Sequence, residues 1–236
     1  MEARSLAQSV TKSRSERVVE RHIIQPVFPL TLAKANEPGR TEAEQFIYQR
    51  FEKQHGAEIS HFLPFILSAR TGGLVSAALG YQPASYSSHL FLEYYLDNDI
   101  QTTLSILTQT VVQRGAIVEI GNLASGRQRA TQTLFLLLAE LFYQAGYEWV
   151  VFTANSAVSQ WLAKLDIETI AIRVADPTRL PDKGASWGRY YDDKPVVVAS
   201  HIRQTMAKLN NNPLMLYLRQ SYQHQLNEFV ASFRHD

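Results

Sequence analysis

Cysteine is absent from all 236 residues. That removes a disulfide framework, a thiolate zinc site and a cysteine nucleophile together. It also fits a reducing cytoplasm, which is the expected location. Neither sign of charge dominates: 23 Lys and Arg stand against 22 Asp and Glu, a formal net charge of +1. Such a chain lacks the broad basic field that favours nucleic acid as a partner. Long apolar runs are missing too. The most apolar helical stretch, Leu134 to Phe142, contains Glu140 and is too short to span a bilayer, so no stable membrane span is expected. Met1 to Arg21 stays polar and holds no apolar core of a secretory signal. His55, His61 and His89 share no metal-ligand spacing, so no metal is expected. No serine sits in a Gly-x-Ser-x-Gly elbow, which argues against serine hydrolysis.

What remains is an ordinary globular composition, 45% hydrophobic and 19% charged. Residues 1–21 read as a mobile polar arm, 22–205 as one α/β domain and 206–236 as a helical tail broken at Pro213. Ile23 to Ala33 carries two prolines and suits an edge strand. Thr41 with Glu44 three residues on is a capping-box pattern, opening a helix to about His55. His61 to Ala69 and Leu74 to Tyr81 are strands flanking the turn Thr71-Gly72-Gly73. Leu90 to Leu96 suits a short strand or a loop. Asp97 to Asp99 can cap a helix through about Gln113. A strand over Ala116–Asn122, a helix over Gln128–Ala145, a Gly146 stop and a strand over Tyr147–Thr153 follow. Asn155 or Ser156 caps the next helix. Late strands fall at Thr169–Val174 and Pro195–Ala199. The order predicts a mixed sheet.

The chemistry concentrates after Val118. Glu119 interrupts the apolar run Ile117 to Leu123. A carboxylate there is paired, solvated at a strand end or chemically employed. Its two readings are an ion pair to Arg127 or Arg114 and a general base. Asn122 either ties down the strand end or bonds a substrate. Arg127 and Arg129 stand at a helix N-terminus, where cations are disfavoured and an external anion is favoured. With the N–H groups of Gly126, Gln128 and Ala130 they make a phosphate site. Trp187, Tyr190 and Tyr191 lie in a long loop and form a lid or a binding wall for the acceptor. Asp192 beside them is the rival base.

The order of elements resembles the GNAT acyltransferase fold. The run Asn155 to Ile167 matches the family's helix, with Lys164-Leu165-Asp166-Ile167 in register with Lys-Leu-Gly-Phe. Leu162 then stands where many GNAT enzymes carry the tyrosine that protonates the leaving thiolate. The family's Arg-x-x-Gly-x-Gly turn falls on Gly126-Arg127-Gln128-Arg129-Ala130-Thr131, without its glycines. Glu119-Ile120-Gly121-Asn122 is similar to the Glu-Leu-Ser-Arg strand of acyl-homoserine-lactone synthases. Across roughly residues 40 to 205 the chain resembles the thermostable hemolysins, small bacterial proteins of GNAT-like architecture. The matching segments include Leu90 to Asp97, Val118 to Ala124, Trp149 to Ala154, Ala175 to Leu180 and Trp187 to Asp192.

The resemblance implies a single GNAT-like domain whose central sheet splays between its fourth and fifth strands. It implies acyl transfer from acyl-CoA, or from the phosphopantetheine of acyl carrier protein, to a small amine. These carriers are co-substrates, and no permanently bound cofactor is expected. Backbone groups of Leu123 and Ala124 would pair with pantetheine, with Asn155 on the facing side. The rival readings are a lytic, membrane-active protein, as the family name says, and a non-catalytic binding module.

Overall fold

The computed structural model describes residues 28–233, and the expected arm over residues 1–21 lies outside them. Within that range the edge strand is β1, Leu30–Ala33. Helix α1 follows at Arg40–His55. The capping box does not form. Gly39, at φ 85°, takes the N-cap position without a side-chain bond. Glu44 instead accepts from the Arg40 Nε at 2.6 Å.

The hairpin of β2 (Phe65–Thr71) and β3 (Leu74–Pro83) comes next. The expected start of β2 at His61 is corrected to Phe65, because residues 61–63 are drawn aside by Asn122, as described below. Leu90 to Leu96 is a 3-10 turn over Phe91–Tyr95. Helix α2 spans Ile100–Thr108, capped by Asp99, and stops short of Gln113 because Gln109 turns left-handed at φ 55°.

Strand β4 (Ile117–Ser125), helix α3 (Gln128–Ala145) and strand β5 (Trp149–Ala154) form the centre. The α3 pattern places Leu134, Leu137, Leu138 and Leu141 on one buried stripe. Gly146 closes the helix in the left-handed region, its N–H reaching the last-turn carbonyls. Helix α4 (Ser156–Lys164) is capped by the Asn155 side chain, which accepts the Val158 N–H at 3.0 Å. Asp166, in register with the glycine of Lys-Leu-Gly-Phe, has φ 55°. Strands β6 (Ile170–Val174) and β7 (Val196–His201) complete a seven-stranded sheet of order β1-β2-β3-β4-β5-β7-β6. Among the described residues only β4 and β5 pair in parallel.

Side chains alternate across a strand. Val118 and Ile120 therefore enter the core beneath α3, while Ile117 packs on the opposite face. Glu119 shares the face of Ile117. Helices α5 (Ile202–Leu209) and α6 (Pro213–Phe233) cover α3, and Met206, Leu209, Met215, Leu218 and Tyr222 belong to the same core. The expected division at 205/206 falls inside α5. The Tyr222 hydroxyl accepts the Phe28 N–H at 2.6 Å and donates to the Phe28 carbonyl at 3.0 Å, fastening the entry to β1 onto α6.

Candidate active site

Strands β4 and β5 pair only from Ile117 with Trp149 to Ile120 with Phe152. Beyond Gly121, β4 stays with β3, while Thr153 and Ala154 stay with β7. The sheet therefore opens at the C-terminal ends of its two parallel strands. A shift in the β3–β4 register at Asn122 and Leu123 helps to part them. The cleft so formed has about 1020 Å³ of free space, counting its open mouth.

Glu119 lies on the cleft wall with 3% of its surface exposed. Among the described residues it makes no ion pair, so neither Arg127 nor Arg114 is its partner. The Leu92 N–H donates to Oε1 at 2.9 Å and the Phe91 N–H to Oε2 at 3.2 Å. Burial pushes its carboxyl up to about 7; the two N–H bonds oppose this, and the nearby Glu93 charge adds to it. Arg114 instead holds Glu93, at 2.7 Å. Glu93 also accepts from the N–H groups of Leu90 (2.6 Å) and Ile100 (2.8 Å). Burial alone would raise Glu93, but Arg114 and these N–H groups outweigh it and hold the carboxyl below its ordinary value. Two neighbouring buried carboxyls are thus pushed in opposite directions, the arrangement that separates an acid–base group from a structural one.

Asn122 tethers the neighbouring backbone. Its Oδ1 accepts the Leu63 N–H at 2.9 Å and its Nδ2 donates to the His61 carbonyl at 3.1 Å. Its left-handed φ of 52° allows that reach. Leu123, Ala124 and Asn155 line the cleft as the sequence suggested, and so do Trp187 and Tyr190. The aromatic loop is held against the end of α1. The Arg189 N–H donates to the His55 carbonyl at 2.8 Å. Gly188, at φ 51°, passes so close that a Cβ would stand 2.3 Å from that carbonyl oxygen. Trp187 and Tyr190 then pack on Phe51. Tyr191 stands behind them, its hydroxyl 2.6 Å from that of Tyr95.

Asp192, the expected rival base in the aromatic loop, is exposed and does not line the cleft. Its neighbour Asp193 has the structural task, accepting the Ser156 N–H at 2.8 Å at the start of α4. The anion turn is corrected in part. The N–H groups of Gly126 and Arg127 both donate to the Ser76 carbonyl, at 2.9 and 3.1 Å. The first turn of α3, from Gln128, has no side-chain cap, and Arg127, Gln128 and Arg129 are exposed around it. Ala130 is buried beneath.

The sequence reading missed Arg50, His55, Phe91 and Tyr95, all on the cleft wall. Desolvation, then the Arg189 charge, holds His55 below its usual value. Arg50 had a readable signal: it falls three residues after Ile47 and four after Phe46, on the apolar stripe of α1. Among the described residues no group of three or more His, Asp or Glu gathers to hold a metal ion.

Residues 33–206 match the family model described as Thermostable hemolysin. The chain belongs to the thermostable hemolysin family. No curated protein matches it by sequence. Solved structures do share its fold. One is the acyl-homoserine-lactone synthase LasI, with a TM-score of 0.54 and 13% identity over 78% of this chain and 94% of that one. Another is FeeM, an N-acyl amino acid synthase from uncultured soil microbes, with a TM-score of 0.54 and 10% identity over 77% and 95%. TofI, solved with an inhibitor and MTA, gives 0.52 and 14% over 79% and 98%. This member of the thermostable hemolysin family is thus a GNAT-like mixed α/β domain with a splayed central sheet and a C-terminal helix. The identities carry the fold and nothing beyond it. Leu162, at the position of the GNAT tyrosine, is buried in the α3 core and presents no hydroxyl.

Proposed function

We propose that the protein is an N-acyltransferase that moves an acyl group from a thioester carrier, acyl-CoA or acyl carrier protein, to a small amine. The observation that carries this reading is Glu119, a buried carboxyl near neutrality on the wall of a cleft opened between parallel strands. The amine nitrogen attacks the thioester carbonyl, and Glu119 takes the proton it sheds. A backbone N–H near Leu123 polarises the carbonyl. The carbon–sulfur bond then breaks, and the thiolate takes a proton from solvent at the open mouth. The free edges of Leu123–Ala124 and Thr153–Ala154 suit the pantetheine amides. Asn122 acts as a positioning residue through its hold on residues 61–63.

The acyl chain has a place to go. Ile120, Phe135 and Phe152 line the cleft and also a second, apolar hollow. Trp161, Leu162, Ile167 and Leu209 are among the other residues lining that hollow, which has about 490 Å³ of free space counting its mouth. Each methylene buried there adds about fourfold in affinity. Decanoyl-CoA is therefore expected to outcompete hexanoyl-CoA, and hexanoyl-CoA acetyl-CoA, measured as kcat/KM for thiol release. A flat series would remove the hollow from the reaction.

The test of the reading is thiol release from acyl-CoA and acyl carrier protein with a mixture of amines, alongside thermal shift with each carrier. Stabilisation without turnover would favour the binding-module reading, to which Leu162 and the missing glycines point. Neither stabilisation nor turnover would end both. The same assay checks the anion turn. Arg127→Ala with Arg129→Ala is expected to weaken carrier binding about tenfold or more, since each removes a charged hydrogen bond. Equal affinity in the double variant would move the phosphate elsewhere.

A further inference from the structure

We propose that Arg50, from α1, takes a phosphate of the carrier at the cleft mouth, opposite the start of α3. The inference rests on the acyl-carrier reading and adds to it a residue outside the β4–α3 turn. Among the described residues Arg50 is the only guanidinium lining the cleft, and Glu119 the only carboxylate. Its Nε is buried and has no hydrogen-bond partner, and among the described residues no carboxylate pairs with it. Its planar head lies over Phe46, with the central carbon 5.6 Å from the ring centroid. A guanidinium N–H withdrawn from water and left without an acceptor is costly, and a ligand anion that accepts from it removes that cost.

The position of the head selects the anion. One terminal nitrogen lies 2.9 Å from where a Gly126 Cβ would stand. Arg50 therefore rests against the bare backbone of the turn that leads into α3, made accessible because residue 126 has no side chain. An anion there meets Arg50 from one side. From the other it meets the uncapped N-terminus of α3, flanked by Arg127 and Arg129. Arg50 and the uncapped N–H groups of one helix turn, with Arg127 and Arg129 exposed beside that turn, match a phosphate diester or pyrophosphate, which accepts paired N–H bonds. The carboxylate of an acceptor is the competing anion. It would have to sit near Glu119, and the Gly126 contact draws Arg50 toward the carrier end instead.

The experiment compares acyl-CoA with acyl-pantetheine, the same thioester without phosphates, in wild type, Arg50→Gln and Arg50→Lys. Arg50→Gln is expected to raise KM for acyl-CoA about tenfold or more and to leave KM for acyl-pantetheine unchanged. Arg50→Lys is expected to recover part of the loss, because charge returns without the paired geometry. Inorganic pyrophosphate should compete with acyl-CoA in wild type but not with acyl-pantetheine; this arm needs no variant to fold. An equal loss on both thioesters, an unchanged KM for acyl-CoA, or a change confined to the KM of the amine would overturn the assignment. The last result would give Arg50 to the acceptor. Wild-type enzyme that binds no acyl carrier would instead sink the acyltransferase reading itself.

Discussion

Glu119→Gln is expected to retain the fold and the carrier affinity while losing acyl transfer by about a hundred- to ten-thousandfold, the usual contribution of a general base. The substitution keeps the shape and still offers an oxygen to one of the two N–H donors, Leu92 and Phe91. In wild type the rate should rise with pH through about 7, where Glu119 gives up its proton; the variant should lack that limb. Stability carries a second signature. The folded carboxyl holds its proton more tightly than the unfolded one at 4.5. Its contribution is therefore fully present below 4.5 and is lost as pH rises toward 7. The shift corresponds to on the order of 3 kcal/mol. Relative to Glu119→Gln, the urea midpoints of wild type should fall across that window. Asp192→Asn, exposed and away from the cleft, is the control and should leave turnover unchanged. Undiminished turnover in Glu119→Gln would remove it from the chemistry.

Arg114→Ala is expected to cost about 3–5 kcal/mol of stability, because it strands a buried carboxylate. The Glu93 side chain is 2% exposed, and Arg114 reaches its Oε1 while also donating to the carbonyls of Ala84 and Ser87. In wild type the depressed Glu93 carboxyl stabilises the fold above the ordinary carboxylate range and loses that effect as pH falls through its lowered value. Without Arg114, burial dominates and the carboxyl rises. The deficit is then largest at neutral pH and shrinks on acidification. Arg114→Met combined with Glu93→Gln should recover much of the loss. Chemistry should register the change too. Glu93 raises the Glu119 carboxyl and Arg114 lowers it, so Arg114→Ala should move the rising limb of transfer to higher pH. A destabilised variant with an unmoved limb would separate the two carboxyls.

The central strand–helix–strand unit was legible because its signals are local. An apolar run marks β4, a leucine stripe with a glycine stop marks α3, and Asn155 caps α4. Glu119 was visible as the one charged side chain in the run Ile117 to Leu123. The turn over Phe91–Tyr95 was not legible, since its first two N–H groups, of Phe91 and Leu92, are satisfied by Glu119, 28 and 27 residues away. The Thr41–Glu44 spacing misled for a related reason: Glu44 found Arg40, itself bonded to the Pro64 carbonyl. Asn122 and Arg50 owe their places to partners in other elements, and no period in the chain announces such partners. Arg127 and Arg129 were legible as cations at the start of a helix, which the structure places from Gln128. The loss of two turn amides to the Ser76 carbonyl depends on the β3–β4 register, which only the folded sheet sets.

The clasp between Tyr222 and Phe28 also bears on the order in which the molecule is made. The bond spans 194 positions. Joining points so far apart costs more chain entropy than joining the neighbouring β4, α3 and β5, although the cost grows only with the logarithm of the separation. All the residues that line the cleft lie between 50 and 190. The helix that covers the outer stripe of α3 begins at residue 213. During synthesis, the whole chemical complement of the cleft therefore leaves the ribosome while the leucines of α3 still lack their cover. A chain interrupted in that interval would carry each residue needed for the reaction and yet present an apolar helix face to whatever it met first.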